Sequence, residues 1–337
     1  MKRIVLCLLC VSFVLALALA AFGAPRTVAK VNEFALPSLS GQPYRPRISG
    51  DWVVAVRNYA KRAENVVLIN VPARKLYTIF DIADGTSIIA SIDGDLVVWP
   101  GKSDQVPGLR GTRGKRGQWA RSMILYEIST GSYYAPELST NSAFSVSISG
   151  GLVAYELGSR IYLHDVARGV QRRISDNNPY HSGPEISGDF VVWAGKTDDS
   201  DKRQVYAYQI SGGRQLQLTS DPVDHRSPMT DGRYIVWWTD AGVDVYDTTN
   251  TSTFAIPKAF FPAVDDGIVV YQRPESSGPG CTCNSPMPVY GMDIATRREF
   301  RISSGTANVG PDIDAGRVIW CTGDTIYCSE LSTKTTR

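Results

Sequence analysis

Pro184-Glu185-Ile186-Ser187-Gly188-Asp189-Phe190-Val191-Val192-Trp193 is the stretch whose reading decides the fold. It opens with a short strand at Pro-x-Ile and turns at Gly-Asp. It then enters a continuous apolar run of the kind found in a strand covered on both faces. The same pattern recurs from Pro46 to Val54, from Ile92 to Trp99, from Ile148 to Tyr155, from Pro228 to Trp237, from Pro262 to Tyr271 and from Pro311 to Trp320. Counted from the proline position, the step averages about 44 residues and makes seven units.

A second signature follows in the units, as in Ile161-Tyr162-Leu163-His164-Asp165, Val205-Tyr206-Ala207-Tyr208, Val243-Asp244-Val245-Tyr246-Asp247 and Val289-Tyr290-Gly291-Met292-Asp293. Polar tails such as Arg172-Arg173-Ile174-Ser175 close them. Each unit therefore reads as four strands, A to D. A four-stranded sheet with two apolar faces cannot stand alone, and radial stacking buries both faces while leaving only short edges. The fold class predicted is all-β: a seven-bladed β-propeller of four-stranded antiparallel blades.

The last unit runs out at Leu331–Arg337 before a fourth strand. Val28 to Phe34, ahead of the first repeat, alternates as a strand should and is expected to complete that blade. The domains are then a signal segment over 1–23, a closing strand and lead-in over 24–45, and the propeller over 46–337. The repeats resemble the TolB-like (WD40-like) propeller family, here with Ile-Ser-Gly-Asp in place of Ser-Pro-Asp-Gly, a variant similar to repeats of secreted surface proteins. The resemblance covers about residues 46–330 and implies architecture, since these motifs are packing residues and a fold does not fix chemistry.

Lys2 and Arg3 precede an apolar run from Ile4 to Ala21 and small residues at Ala21-Phe22-Gly23, the pattern of an export signal, with an uncleaved N-terminal anchor as the alternative. Cys7 and Cys10 lie inside the run and follow leucines, which argues against lipid attachment there. Removal of residues 1–23 would leave 33 basic against 33 acidic residues. No global field then favours nucleic acid, and recognition must come from local patches. The expected location is secreted, periplasmic or cell-surface, and the chain is read as a monomer.

With three histidines in the chain, acid–base and metal proposals are few. His181 and His225 each stand three residues before a repeat proline, in D–A connections, which share one propeller face with the B–C loops. With Asp224 and Arg226 they are candidates for a patch at the channel mouth; the alternative is that they cap loops. His164 takes an aromatic slot of strand C and reads as packing.

The longest departure from the repeat, Pro100 to Arg121, carries six bases against one acid. Its Arg110, Arg113, Lys115, Arg116 and Trp119 suit carboxylate, sulfate or phosphate groups. The competing reading is a solvated, glycine-rich loop. Trp99, Tyr155, Trp193, Trp237 and Trp320 occupy one repeat slot and read as core rather than as a sugar-stacking ladder. The acidic run Asp198-Asp199-Ser200-Asp201 lacks the ligand spacing of a calcium loop.

Of the cysteines beyond the signal, Cys321 and Cys328 are expected to face each other across a hairpin as a disulfide. Cys281 and Cys283 bridge each other or tie their loop to blade 7, with a four-sulfur zinc site as the alternative. The functional expectation is a non-catalytic propeller, without cofactor or metal, that binds a protein or an anionic glycan through its B–C/D–A face. The rival is a lyase or hydrolase using His181, His225 and Asp224.

Overall fold

The computed structural model describes residues 26–58, 64–82, 89–102, 121–136, 143–178, 180–197, 200–275, 287–307 and 309–335. They form seven four-stranded antiparallel sheets, and no helix among them is long and apolar enough to cross a membrane. After β1 (Arg26–Ala35), blade 1 comprises β2 (Gln42–Ser49), β3 (Trp52–Asn58), β4 (Glu64–Asn70) and β5 (Lys75–Ile82). Blade 2 comprises β6 (Ser91–Asp93), β7 (Leu96–Lys102), β8 (Arg121–Glu127) and β9 (Ser132–Tyr134). Blade 3 has β10 (Ala143–Ser149), β11 (Leu152–Leu157), β12 (Ile161–Asp165) and β13 (Val170–Arg173). Blade 4 has β14 (Tyr180–Ser187), β15 (Phe190–Lys196), β16 (Gln204–Gln209) and β17 (Arg214–Gln217). Blade 5 is β18 (Arg226–Thr230), β19 (Tyr234–Trp238), β20 (Gly242–Asp247) and β21 (Ser252–Pro257). Blade 6 is β22 (Phe260–Asp265), β23 (Ile268–Gln272), β24 (Val289–Asp293) and β25 (Arg298–Arg301). Blade 7 draws β26 (Val309–Asp314), β27 (Arg317–Thr322) and β28 (Thr325–Thr335) from the C-terminal end and β1 as its outer strand.

The ring is thus closed as the alternation of residues 28–34 predicts. Pairing runs from Arg26 opposite Thr335 to Ala35 opposite Tyr327, with one bulge at Lys30/Asn32. The A–B hairpins turn where Gly and Asp were read: Asp266-Gly267 and Ala315-Gly316 both take positive φ, as the tight turns that match strand twist require.

The core divides into seven clusters, one at each blade interface. Alternate residues of one strand B serve two of them. Val191 and Trp193 pack toward blade 3, and Val192 packs toward blade 5. This is why strand B is apolar throughout, each fully buried large side chain contributing about 1.5–3 kcal/mol.

The shared aromatic slot is core: Trp99, Tyr155, Trp193 and Trp320 are at most 1% exposed. In four blades this ring meets its cross-strand partner on strand C: Tyr155 with Tyr162, Trp193 with Tyr206, Tyr271 with Tyr290 and Trp320 with Tyr327, all stacked. His164 is buried in the same way.

Around the channel, side chains of one strand A bond the backbone of the next. Ser91 Oγ accepts from Ile148 N–H at 3.2 Å, Ser147 Oγ from Ile186 N–H at 3.2 Å, and Asp312 Oδ2 from Ile48 N–H at 2.9 Å. Nearer the A–B turns, Asp93, Asp314 and Asp265 do the same for Gly150, Gly50 and Ala315. Short polar side chains on either side of the repeat isoleucine, at x and at the position after it, therefore replace the missing ladder partner of the innermost strand.

The expected Cys321–Cys328 disulfide is not formed. The β27–β28 turn is tighter than supposed, so Cys321 lies opposite Ile326 and Cys328 opposite Ile319, a diagonal rather than a direct pair. Both are free, buried thiols packed against blade 1, and burial raises the pKa of each. Cys281 and Cys283, the signal segment and the acidic pair Asp198-Asp199 lie outside the described residues.

Candidate binding face at the channel mouth

Six of the seven A strands carry a β-bulge where the chain enters the channel, β6 of blade 2 being the exception among the described residues, and in most of the six a proline marks it. The register slips between Tyr44 and Arg47, Ser182 and Glu185, Arg226 and Met229, Phe260 and Ala263, and Val309 and Asp312. The residue before the proline is left-handed at Arg45 (φ 40°), Gly183 (φ 63°), Ser227 (φ 47°) and Phe261 (φ 53°). A non-glycine residue in that region costs of order 1–3 kcal/mol, and bulges of this kind re-aim side chains. Here they bend six A strands around a cavity of about 550 Å³ at the D–A end of the channel, lined from blades 1, 3, 4, 5, 6 and 7.

The cavity is bordered by an ion cluster that crosses the channel. Arg47 of blade 1 pairs with Glu185 of blade 4, and its Nη1 lies 3.5 Å from Asp312 of blade 7 and 3.7 Å from Met229 Sδ of blade 5. These three charged residues occupy the variable position of Pro-x-Ile, within an otherwise repetitive frame. Burial pushes the Asp312 carboxyl pKa up, against the attraction of Arg47. Arg45, on the rim, is exposed and touches only the face of Tyr44, at 6.0 Å.

A second cavity of about 200 Å³ adjoins the first, sharing Ser182, Ala194 and Arg203, and adds Tyr180 and Lys196. Tyr180 is 60% exposed and Tyr44 41%. None of Arg45, Arg47, Lys196, Arg203 and Tyr180 was singled out from the sequence. The signal that marks Arg47 is that it is the one cation in this slot, which holds Ser91, Ser147, Glu185, Met229, Ala263 and Asp312 in the other blades.

The two candidate histidines face inward. His181 is fully buried: Trp193 Nε1–H donates to its Nδ1 at 2.9 Å, which places the ring proton on Nε2, bonded to Asp176 Oδ1 at 2.7 Å. Because Nδ1 accepts from Trp193 it carries no proton and the ring is neutral; burial lowers its pKa, against the opposing hydrogen bond that Nε2–H gives to Asp176. A Cβ at Gly195 would stand 2.5 Å from His181 Nδ1; only glycine leaves room for the imidazole.

His225 repeats the arrangement in part: Nε2 lies 2.7 Å from Asp221 Oδ1 and the ring is edge-on to Trp237, but the tryptophan gives no hydrogen bond to Nδ1. In both, the backbone N–H bonds a B–C carbonyl of the preceding blade, Ser159 for His181 and Arg203 for His225. The histidines are inter-blade clasps, which is the loop-capping role weighed from sequence.

Asp224 bonds neither histidine. It receives Arg203 through Nη2 at 2.6 Å and Nε at 3.0 Å, and Arg226 Nε at 2.7 Å. The Arg203 hydrogen bonds, chief among these contacts, hold its carboxyl far below the usual range and leave it a poor proton acceptor. Arg226 continues to Asp240 at 2.6 Å and lies over Trp238. Among the described residues no group of three or more His, Cys, Asp or Glu side chains is placed to hold a metal ion. Arg110, Arg113, Lys115, Arg116 and Trp119 lie outside the described residues, although the strands that launch their loop do not: Lys102 and Arg121 pair at its base.

No family model and no curated protein matches the chain. Among solved structures, the β-propeller domain of the Trilobed protease from Pyrococcus furiosus, whose description reports an open velcro topology, superposes with a TM-score of 0.59. The identity is 12%, over 90% of this chain and 96% of that one. An oligogalacturonate lyase in complex with manganese gives 0.55 at 10% identity, over 92% and 98%. The tricorn protease gives 0.51 at 13% identity over 85% of this chain, which spans 42% of that one. What these similarities share with the present chain is the architecture: it is a β-propeller, and its own ring is closed by the N-terminal β1.

Proposed function

We propose that this chain is an exported, non-catalytic propeller that binds a protein or glycan through the face bearing its D–A connections and B–C loops. The observation that carries the reading is the cavity at the channel mouth, where six bulged A strands converge on one recess. Concave sites with a few placed polar groups are where propellers and other folds take ligands.

A binding rather than a catalytic role is supported by the state of the rival site. His181 is spent between Trp193 and Asp176, His225 is buried against Asp221, and Asp224 is neutralised by two arginines. The apolar run at residues 4–21 supports export.

The basic stretch Arg110–Arg116 falls in sequence between strands B and C of blade 2, whose paired ends Lys102 and Arg121 are described. It is the second element proposed to meet an anionic partner. The test is affinity capture by the purified protein followed by the fourfold change R110S/R113S/K115S/R116S. Capture should weaken, and should fall as salt rises, because exposed charges are screened beyond about 8 Å at physiological ionic strength. Capture indifferent to both would remove the loop from the site. A turnover number traced to His181 or His225 would replace the binding role with the enzymatic one.

A further inference from the structure

We propose that the two adjoining cavities form one groove for an acidic oligosaccharide, with Arg45 and Lys196 as its anion contacts and Tyr44 and Tyr180 as its ring platforms. This rests on the reading of the D–A/B–C face as the binding face.

The charges come first. Arg47 is taken by Glu185 and Asp312, and Arg203 by Asp224. Among the described residues, Arg45 and Lys196 are the lining cations that have no carboxylate partner. They line different parts of the combined groove, Arg45 of blade 1 the larger cavity and Lys196 at the end of β15 the smaller one. A ligand that satisfies both must carry repeated acidic groups along an extended chain. Arg45 offers a planar fork suited to carboxylate, and Lys196 a point charge.

The surfaces between them are of two kinds. Tyr44 and Tyr180 are exposed rings, and Pro46, Pro228, Pro262 and Pro311 line the recess from buried positions that add apolar wall but no open face. Ser145, Ser182, Ser227 and Ser159 intersperse hydroxyls. Two exposed tyrosine rings with hydroxyls beside them match a sugar ring, which has an apolar face and a hydroxylated edge.

An extended peptide is disfavoured by the backbone. It would seek the inner edge of a strand A, but Ile48, Ile148 and Ile186 already give their N–H groups to Asp312, Ser91 and Ser147 of the preceding blades.

Titration calorimetry on the purified protein tests this with four probes: a hyaluronan tetrasaccharide, carrying carboxylates alone; a heparin tetrasaccharide, adding sulfates; neutral chitotetraose; and a hexaglutamate peptide. An acidic tetrasaccharide should bind, chitotetraose should not, and the hyaluronan and heparin arms tell carboxylate from sulfate recognition. R45Q/K196Q should weaken that binding about tenfold or more with Tm unchanged, K196Q alone should weaken it less, and Y180A should weaken it without altering its salt dependence. Affinity unchanged in R45Q/K196Q, equal binding of chitotetraose, or tighter binding of the peptide overturns the proposal. If no sugar binds yet R45Q/K196Q still abolishes capture of the protein's own ligand, the acidic-sugar inference falls and the binding face stands. If capture also survives, both fall.

Discussion

Deleting residues 26–35 removes the outer strand of blade 7 while leaving every repeat intact, and the structure sets the size of the effect. Nine residue pairs join β1 to β28. At a net 0.5–1.5 kcal/mol per backbone hydrogen bond, and about one bond per pair, the ladder contributes roughly 5–13 kcal/mol. Val28, 3% exposed and packed in the cluster between blades 6 and 7, adds about 1.5 kcal/mol. Arg26 Nε also bonds Asp293, whose side chain is 2% exposed, at 2.9 Å. The sum is comparable to the whole stability of an ordinary domain, about 5–15 kcal/mol. The truncated chain should therefore fail to fold cooperatively rather than melt a few degrees lower. Urea unfolding followed by tryptophan fluorescence, against a reference chain that keeps residues 24–35, is the assay. A synthetic peptide of residues 26–35 should restore the transition in a concentration-dependent way, as a ligand of the native state must. An unchanged midpoint and slope in the deletion would refute the closure argument, because nothing else in blade 7 can supply the lost pairs.

Four further outcomes are expected. R47M leaves the half-buried Glu185 and the buried Asp312 without their cation and should lower stability by about 3 kcal/mol in urea titrations, whereas R47M/E185M/D312N should recover most of it; equal losses in both would mean that the cluster does not act as a unit. Asp265, half-buried and near Asp314, has its pKa pushed up to about 6 from an ordinary 3.8, first by desolvation and then by the Asp314 charge, so its folded form holds a proton longer than its unfolded form. Stability should therefore fall as pH rises from about 4 to 6, and D265N should raise Tm above pH 6 with its advantage gone below pH 4; a pH-independent gain would refute this. Cys321 and Cys328 should resist iodoacetamide in the native protein and react once it is unfolded, and a mapped bridge between them would contradict the register of β27 and β28. G195A should lower Tm by driving a methyl group into His181, and a neutral result would show that the clasp has slack.

How far the sequence could be read depended on whether a property repeats. The slot of Trp99, Trp193 and Trp320 was legible as core because the same wedge between blades must be filled at every unit, and a local pattern recurring about every 44 residues reports a local cause. The closing strand was legible for a related reason: an unfinished seventh unit requires a partner, and only residues 28–34 alternate suitably outside the repeats.

The histidines were legible as a pair by position but not by role. Their partners Asp176, Trp193, Asp221 and Trp237 are set by how a D–A connection folds back on the next blade. The disulfide expectation failed on a two-residue difference in register, which depends on the turn Thr322–Thr325 rather than on the spacing of the cysteines.

By itself, then, the sequence determined the blade count, the strand order within a blade, the inward face of each strand and the closure of the ring. All of these follow from periodic burial along the chain. Only the tertiary structure decided the channel mouth. Arg47, Glu185 and Asp312 are separated by 138 residues in one pair and 265 in the other, and they meet because the ring brings blades 1, 4 and 7 to a common axis. No local pattern encodes that meeting: charges at single repeat positions carry no information about partners across a channel until the blades have closed around it.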